Sequence, residues 1–128
     1  MNSPTVHAVL TRSEAGEAVF PEVVRTLLEN GVESYFVDFA SRQKTLYTVV
    51  IAETLPSNLP GDLDIAPEFS KDGIVAAIRA AQRDAIRYPE FVHQATAAGV
   101  IGYWAFLTGR KVVYFGRKGA FHEELFPS

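Results

Sequence analysis

The strongest constraint on the fold is that the chain repeats itself after 68 positions. The segment from Phe20, FPEVVRTLLENGVESYFVDFASR, aligns without a gap with the segment from Tyr88, YPEFVHQATAAGVIGYWAFLTGR. Seven of these 23 positions are identical, among them Pro21 with Pro89 and Gly31 with Gly99. Such self-similarity predicts two copies of one supersecondary unit. We expect a single domain over residues 1–128, with repeat 1 over about 3–52, a proline-rich crossover over 53–69 and repeat 2 over about 70–122.

Each repeat reads as helix, helix and then a β-hairpin. Prolines suit the first turn of the second helix in each copy, and Gly31 and Gly99 suit the left-handed residue that ends it. Ser70 is a fair N-cap for the first helix of repeat 2, which we expect to end near Arg87, before Tyr88-Pro89. The β-like runs that follow are Glu33–Ala40, Thr45–Ala52, Ile101–Leu107 and Val112–Gly116.

A further short strand, Ala120–His122, is expected in repeat 2 alone. The predicted fold is therefore an α+β two-layer sandwich, with a mainly antiparallel sheet of 4–5 strands and the helices on one face. Residues 53–69 are expected to form a loop ordered more by proline than by packing.

The strands are too apolar for a sheet with one face in water. Phe36, Trp104 and Phe106 fall on the face opposite Tyr35 and Tyr103. We therefore expect both faces to be covered, with a dimer, the proline-rich loop or a bound ligand as alternatives for the second face.

Composition excludes several classes of protein. Without cysteine the chain has neither disulfides nor thiolate metal sites, which leaves the redox compartment undecided. Its longest nearly unbroken apolar run, Ala97–Leu107, is too short for a membrane span, and MNSPTVHAVL does not resemble a signal peptide. We expect a soluble cytoplasmic protein with no membrane partner.

One set of polar residues occurs in both repeats and provides the candidate ligand-binding residues: Tyr35, Arg42, Tyr47, Tyr103, Arg110 and Tyr114. If the hairpins are neighbours, the four tyrosines could ring one cleft, where each supplies apolar contact and a hydroxyl. The alternative is that they are half-buried sheet tyrosines and that the arginines are solvated turn residues.

Catalytic residues are not predicted, and Asp38, His122 and Glu123 are weak candidates only. The His122-Glu123-Glu124 run lacks the H-E-x-x-H spacing of zinc enzymes, and no Gly-x-Ser-x-Gly sequence is present. The sequence therefore predicts neither metal nor cofactor. Gly116–Gly119 reads as a hairpin turn, because no helix follows it to bind phosphate.

Charge divides unevenly between the halves. Residues 1–69 hold 4 Lys and Arg against 10 Asp and Glu, net −6, and residues 70–128 hold 8 against 5, net +3. Basic turns near Tyr114 allow a nucleic-acid interpretation, but mutual steering between repeats or subunits is the simpler one. Nucleic acid is therefore not a predicted partner, and a homodimer is possible.

Several strings together resemble a known family: AIRAAQRDAIRYPEF, AGVIGYWAFLTGRKVVYFG, the closing EELFP and, in the first half, LLENGVESYFVDF. They are similar to the YdfO-like family of small bacterial and phage proteins, domain of unknown function number 1398. Asp84 stands where the resemblance implies a glycine. The resemblance implies no activity, and the phage "envelope protein" label of some members is a weak name.

The sequence thus favours a non-catalytic binding or protein-interaction module that uses an aromatic cleft or sheet face, with a protein or a small ligand as partner. The alternative is a small enzyme with acid–base residues near a tyrosine-lined cleft.

Overall fold

The structure is a computed structural model that describes residues 1–127 and contains four helices and six strands. Along the chain these are α1 (Ser3–Glu14), α2 (Phe20–Glu29), β1 (Ser34–Asp38), β2 (Gln43–Tyr47), β3 (Ala52–Pro56), α3 (Lys71–Gln82), α4 (Tyr88–Ala97), β4 (Val100–Phe106), β5 (Lys111–Gly116) and β6 (Phe121–Leu125). The order helix, helix and three strands thus occurs twice. The predicted α+β class is confirmed.

All six strands form one antiparallel sheet in the order β3-β2-β1-β4-β5-β6. The expectation of 4–5 strands was wrong because the apolar run Thr45–Ala52 is not one strand. The Thr48 hydroxyl accepts hydrogen bonds from the backbone N–H groups of Val50 (3.3 Å) and Ile51 (3.0 Å), which makes a turn there. The chain then returns as β3, so repeat 1 has a third strand as repeat 2 does.

Local sequence signals explain where the helices begin and end. Ser70 caps α3 by accepting a hydrogen bond from the Gly73 N–H at 3.0 Å, and Gly31 and Gly99 both take φ +83° after their helices, as predicted. The helix α3 ends at Gln82 rather than near Arg87. Asp84 takes φ +59° just beyond it, which leaves the right-handed helical conformation.

The helices cover one face of the sheet. Residues paired across neighbouring strands share a face, so register assigns each side chain to a side. On one side, Lys44 contacts Glu14 of α1, Glu124 contacts Arg79 of α3, and Tyr103 contacts Tyr88 of α4.

The opposite side is here called the open face. Its strand residues are Ser34, Phe36, Asp38, Gln43, Thr45, Tyr47, Ala52, Thr54, Pro56, Gly102, Trp104, Phe106, Lys111, Val113, Phe115, Phe121, Glu123 and Leu125.

Residues 57–70 run along the helix side. Leu59 is buried in the core, and the N–H of Ala66 donates to the carbonyl of Thr96 in α4 at 2.9 Å. Packing and hydrogen bonds therefore hold the crossover, which was expected from the sequence to be ordered more by proline than by packing. It does not cover the open face.

The two halves match at particular positions. Gly31 matches Gly99, and Arg42 and Arg110 both take positive φ, 61° and 59°, in their hairpin turns. These matches agree with a duplication, which stays a prediction. None of the described helices has the length and apolar character needed to cross a membrane.

Candidate functional site

An aromatic cluster occupies the centre of the open face. Phe36 of β1 and Trp104 of β4 are directly paired, with ring centroids 5.3 Å apart in an edge-to-face arrangement. Trp104 also stacks on Tyr47, at 5.6 Å, and on Phe106, at 5.4 Å. Each such aromatic pair contributes about 0.5–1.5 kcal/mol beyond the area it buries. The four rings form one continuous half-buried surface.

Small residues below the rings make this arrangement possible. A Cβ added at Gly102 would lie 3.3 Å from Phe36 Cζ, so the phenyl ring lies against this glycine. Ser34 pairs with both Tyr47 and Phe106, the two rings between which Trp104 stacks. Gly102 therefore leaves room for the Phe36 ring to lie close to the sheet.

The remainder of the open face is sparsely charged, because Asp38, Lys111 and Glu123 are its only charged strand residues. Two large apolar side chains of the edge strand β6 are exposed, Phe121 at 62% and Leu125 at 67%. At the other edge, the turn between β2 and β3 exposes Val49, Val50 and Ile51. We call this turn, residues 48–51, the β2–β3 tip.

Three of the predicted tyrosines lie on the other side of the sheet. Tyr35, Tyr103 and Tyr114 are buried against the helices, with ring centroids 6.3 Å apart for Tyr35–Tyr103 and 5.6 Å for Tyr103–Tyr114. Tyr47 pairs with Ser34, one position from Tyr35, and therefore lies on the open face. The structure does not bring the four tyrosines to one cleft.

Tyr88 is partly buried, contacts the buried tyrosines and was missed by the sequence reasoning. Its hydroxyl lies 2.8 Å from that of Tyr103, which gives both groups a partner. Burial raises the pKa of Tyr35, Tyr88, Tyr103 and Tyr114 well above the ordinary tyrosine value. The sequence did contain a signal for this contact, because Tyr88 carries a hydroxyl at the position where repeat 1 has the apolar Phe20.

The two predicted arginines bind backbone carbonyls of their own chain. The Arg42 guanidinium donates to the carbonyls of Leu59 (2.7 Å) and Pro60 (2.8 Å), where it holds the crossover. Arg110 donates to the carbonyl of Pro127 at 3.3 Å. Each arginine thus holds the segment that follows the third strand of its half. A ligand-binding role for either stays a prediction.

The weak catalytic candidates are not brought together. The Asp38 carboxylate accepts N–H bonds from Ala40 (2.9 Å) and Ser41 (3.2 Å) within its own turn. Glu123 pairs with Lys111 at 2.9 Å on the open face, and two strands separate it from Asp38. His122 lies on the helix side.

His122 and Arg79 surround the carboxylate of Glu124. Burial alone would raise the pKa of this carboxyl, but bonds from Arg79 (2.7 Å) and His122 (3.0 Å) outweigh it and lower the pKa. Within residues 1–127, no three His, Asp or Glu side chains come together as metal ligands.

A depression of about 400 Å³ lies between α1, strand β2 and the edge strand β3. Its wall includes an ion pair between Lys44 Nζ and Glu14 Oε2 at 2.8 Å, with side chains only 6% and 10% exposed. Lys44 also donates to the Pro56 carbonyl at 2.7 Å. These bonds satisfy two of the three ammonium hydrogens and fix β2 to α1 and β3.

Comparison with known proteins gives a family without an activity. A family model described as "Protein of unknown function (DUF1398)" matches residues 10–124. No curated protein matches the chain. The match agrees with the resemblance found in the sequence at the level of this domain of unknown function.

Proposed function

This chain belongs to the DUF1398 family of proteins of unknown function, and we propose that it is a non-catalytic interaction module whose open face binds a partner. The observation that carries the proposal is the aromatic surface formed by Phe36, Tyr47, Trp104 and Phe106 on the sheet face that the helices leave uncovered.

An antiparallel sheet with one solvated face ordinarily alternates apolar residues toward the core with polar residues toward water. Here the outward positions of the central strands carry stacked rings, and those of the edge strand β6 carry Phe121 and Leu125. Contiguous apolar surface of this kind marks an interaction site in soluble proteins. Aromatic residues are also the side chains that most often dominate binding energy at interfaces.

The distribution of acid–base groups supports binding over catalysis. A catalytic site needs a nucleophile or base, its orienting partner and a cleft within hydrogen-bond reach of one another. Asp38 and Glu123 are each paired locally, and His122 lies across the sheet from both. The proposal therefore assigns the open face to contact with another molecule.

The test places a photo-crosslinking amino acid, p-benzoylphenylalanine, at Thr45 and, separately, at Val113. These half-exposed positions flank the Phe36–Trp104 pair in one row across the sheet. The matched control positions are Ala76 and Arg83, which are exposed on the helix layer. We expect a discrete crosslinked adduct from both open-face positions in producing cells, and none from the controls.

The second component of the adduct is identified by mass spectrometry and then purified. If the component is another molecule, its addition to the unmodified protein is expected to shield the single tryptophan, Trp104, from acrylamide quenching. If it is the chain itself, the associated protein at high concentration is expected to be quenched less than the diluted, dissociated protein. Open-face positions that crosslink no better than Ala76 and Arg83, or a component that leaves Trp104 equally quenched, would overturn the proposal.

On the sequence alone we also propose a cytoplasmic location for the protein, and kinship with the YdfO-like, phage-related members of the family.

A further inference from the structure

We infer that the partner of the open face is a second copy of this chain, related by a two-fold axis that runs parallel to the strands and passes over the Phe36–Trp104 pair. The inference rests on the proposed function, because it assigns a partner to the same surface. It also fixes which half of one protomer meets which half of the other.

Two exposed apolar groups lie at the same end of the sheet but at opposite edges. The register connects Tyr47 and Ala52, beside the β2–β3 tip, through Ser34, Phe106 and Lys111 to Leu125 of β6. Val50 of the tip is 85% exposed, and Leu125 is 67% exposed. The described part of the chain therefore leaves both side chains largely uncovered.

A two-fold axis parallel to the strands exchanges the edges of the sheet and leaves its ends in place. When two open faces meet about such an axis, the β2–β3 tip of one protomer falls over β6 of the other. Because a two-fold contact is self-complementary, this happens twice, and both exposed groups are covered in both copies. At the centre, the Phe36–Trp104 pair meets its own copy in reversed order.

Charge favours the same orientation. The axis places the half of each protomer that contains residues 1–69, net −6, over the half of its partner that contains residues 70–128, net +3. Most of these charges lie outside the open face, so the attraction acts at long range and steers the approach of the two copies. A two-fold axis perpendicular to the strands would instead set the acidic halves against each other and carry the tip away from Leu125. Complementary charge also accelerates association and disfavours the wrong register.

The absence of cysteine allows a direct test with introduced cysteines. Val50→Cys and Leu125→Cys are made as separate proteins, with Arg83→Cys on the helix layer as the control. Light scattering first measures the mass of the unmodified protein against 14.1 kDa for one chain. The variants, alone and mixed, then receive a short bis-maleimide, and products are resolved by mass spectrometry.

We expect a dimer, and we expect V50C mixed with L125C to crosslink at least about 10-fold faster than either variant alone, because the contact raises their effective concentration. The two Val50 positions within one dimer lie near opposite edges, between four and five strand spacings or roughly 20 Å apart, beyond a short linker. Mixtures with R83C are expected to stay at the background rate.

A monomer at all concentrations, or a dimer in which V50C and L125C link no faster than R83C, would overturn this inference. The photo-crosslinking result separates the two proposals. A different component captured from Thr45 and Val113 removes the second copy as partner and retains the interaction module. No adduct at all removes both.

Discussion

Phe36 and Trp104 face each other across the central strand pair, and they are also equivalent positions of the two sequence repeats, 68 residues apart. The pairing of β1 with β4 therefore joins the two halves of the sheet at this aromatic pair. Substitutions beside the pair affect the junction of both halves, and Gly102 lies directly beside it.

We expect Gly102→Ala to destabilise the fold. The added Cβ would lie 2.5 Å from the carbonyl oxygen of Val37, which is backbone and cannot turn aside, as well as 3.3 Å from the Phe36 ring. Overpacking of this kind costs roughly 1–3 kcal/mol. Urea unfolding followed by Trp104 fluorescence measures the loss.

The control is Gly61→Ala, because a Cβ there meets nothing within 4 Å. Its effect is expected within about 0.5 kcal/mol of zero. If G102A unfolds at the same urea concentration as G61A, β1 and β4 do not approach each other closely at Gly102.

The Lys44–Glu14 pair gives a second prediction. Lys44→Met leaves the Glu14 carboxylate in a nearly buried site without its partner, which costs about 3–5 kcal/mol. Adding Glu14→Leu removes the stranded charge, so the double variant is expected to be more stable than K44M. A double-mutant cycle by urea unfolding measures the coupling. Additive losses would contradict a direct ion pair.

Asp84→Gly is expected to stabilise the protein. Asp84 holds φ +59°, which costs an L-residue energy and costs glycine none, and its ion pair with Arg87 is exposed and weak. Relief of the left-handed conformation, worth about 1–2 kcal/mol, exceeds the roughly 0.5–1 kcal/mol that the greater freedom of glycine in the unfolded chain costs. The net gain is about 0.5–1 kcal/mol, measured as a rise in urea midpoint.

The neighbouring Arg83→Gly provides the comparison, since Arg83 has φ −90° and gains no relief from glycine. We expect R83G to destabilise the protein, because glycine increases the conformational entropy of the unfolded chain and relieves no strain in the folded one. Equal effects of D84G and R83G would contradict the role of backbone strain.

The sequence predicted the fold class because the signals that specify it are local. Proline at the first turn, Ser70 as a cap and glycine at Gly31 and Gly99 each act within a few residues. The third strand of repeat 1 was missed because the Thr48 hydroxyl bends an apolar run that reads as one strand. Pairing with β2 then overrides the weak strand propensity of residues 52–56.

The candidate site was predicted less well, because it depends on register. The aromatic residues Phe36, Trp104 and Phe106 were correctly placed on the face opposite Tyr35. Tyr47 was not, because its side follows from pairing with Ser34, and a shift of one residue would have placed it with Tyr35. Arg42 and Arg110 bind carbonyls of segments distant in sequence. The local sequence of their turns does not predict these contacts.

The buried tyrosines make stability sensitive to alkaline pH. Burial raises the pKa of Tyr114 in the folded protein, whereas the unfolded chain has the ordinary value near 10. The folded state therefore holds this proton more tightly, and its contribution is fully present below pH 10 and lost as pH rises above it. Each such tyrosine lowers the free energy of unfolding by about 1.4 kcal/mol per pH unit in that range.

Tyr114→Phe removes the ionisable group while retaining the ring. We expect similar urea midpoints for Y114F and the parent at pH 7, and a steeper decline of the parent above pH 10. Parallel declines of the two proteins would mean that Tyr114 ionises freely and is not buried between sheet and helices.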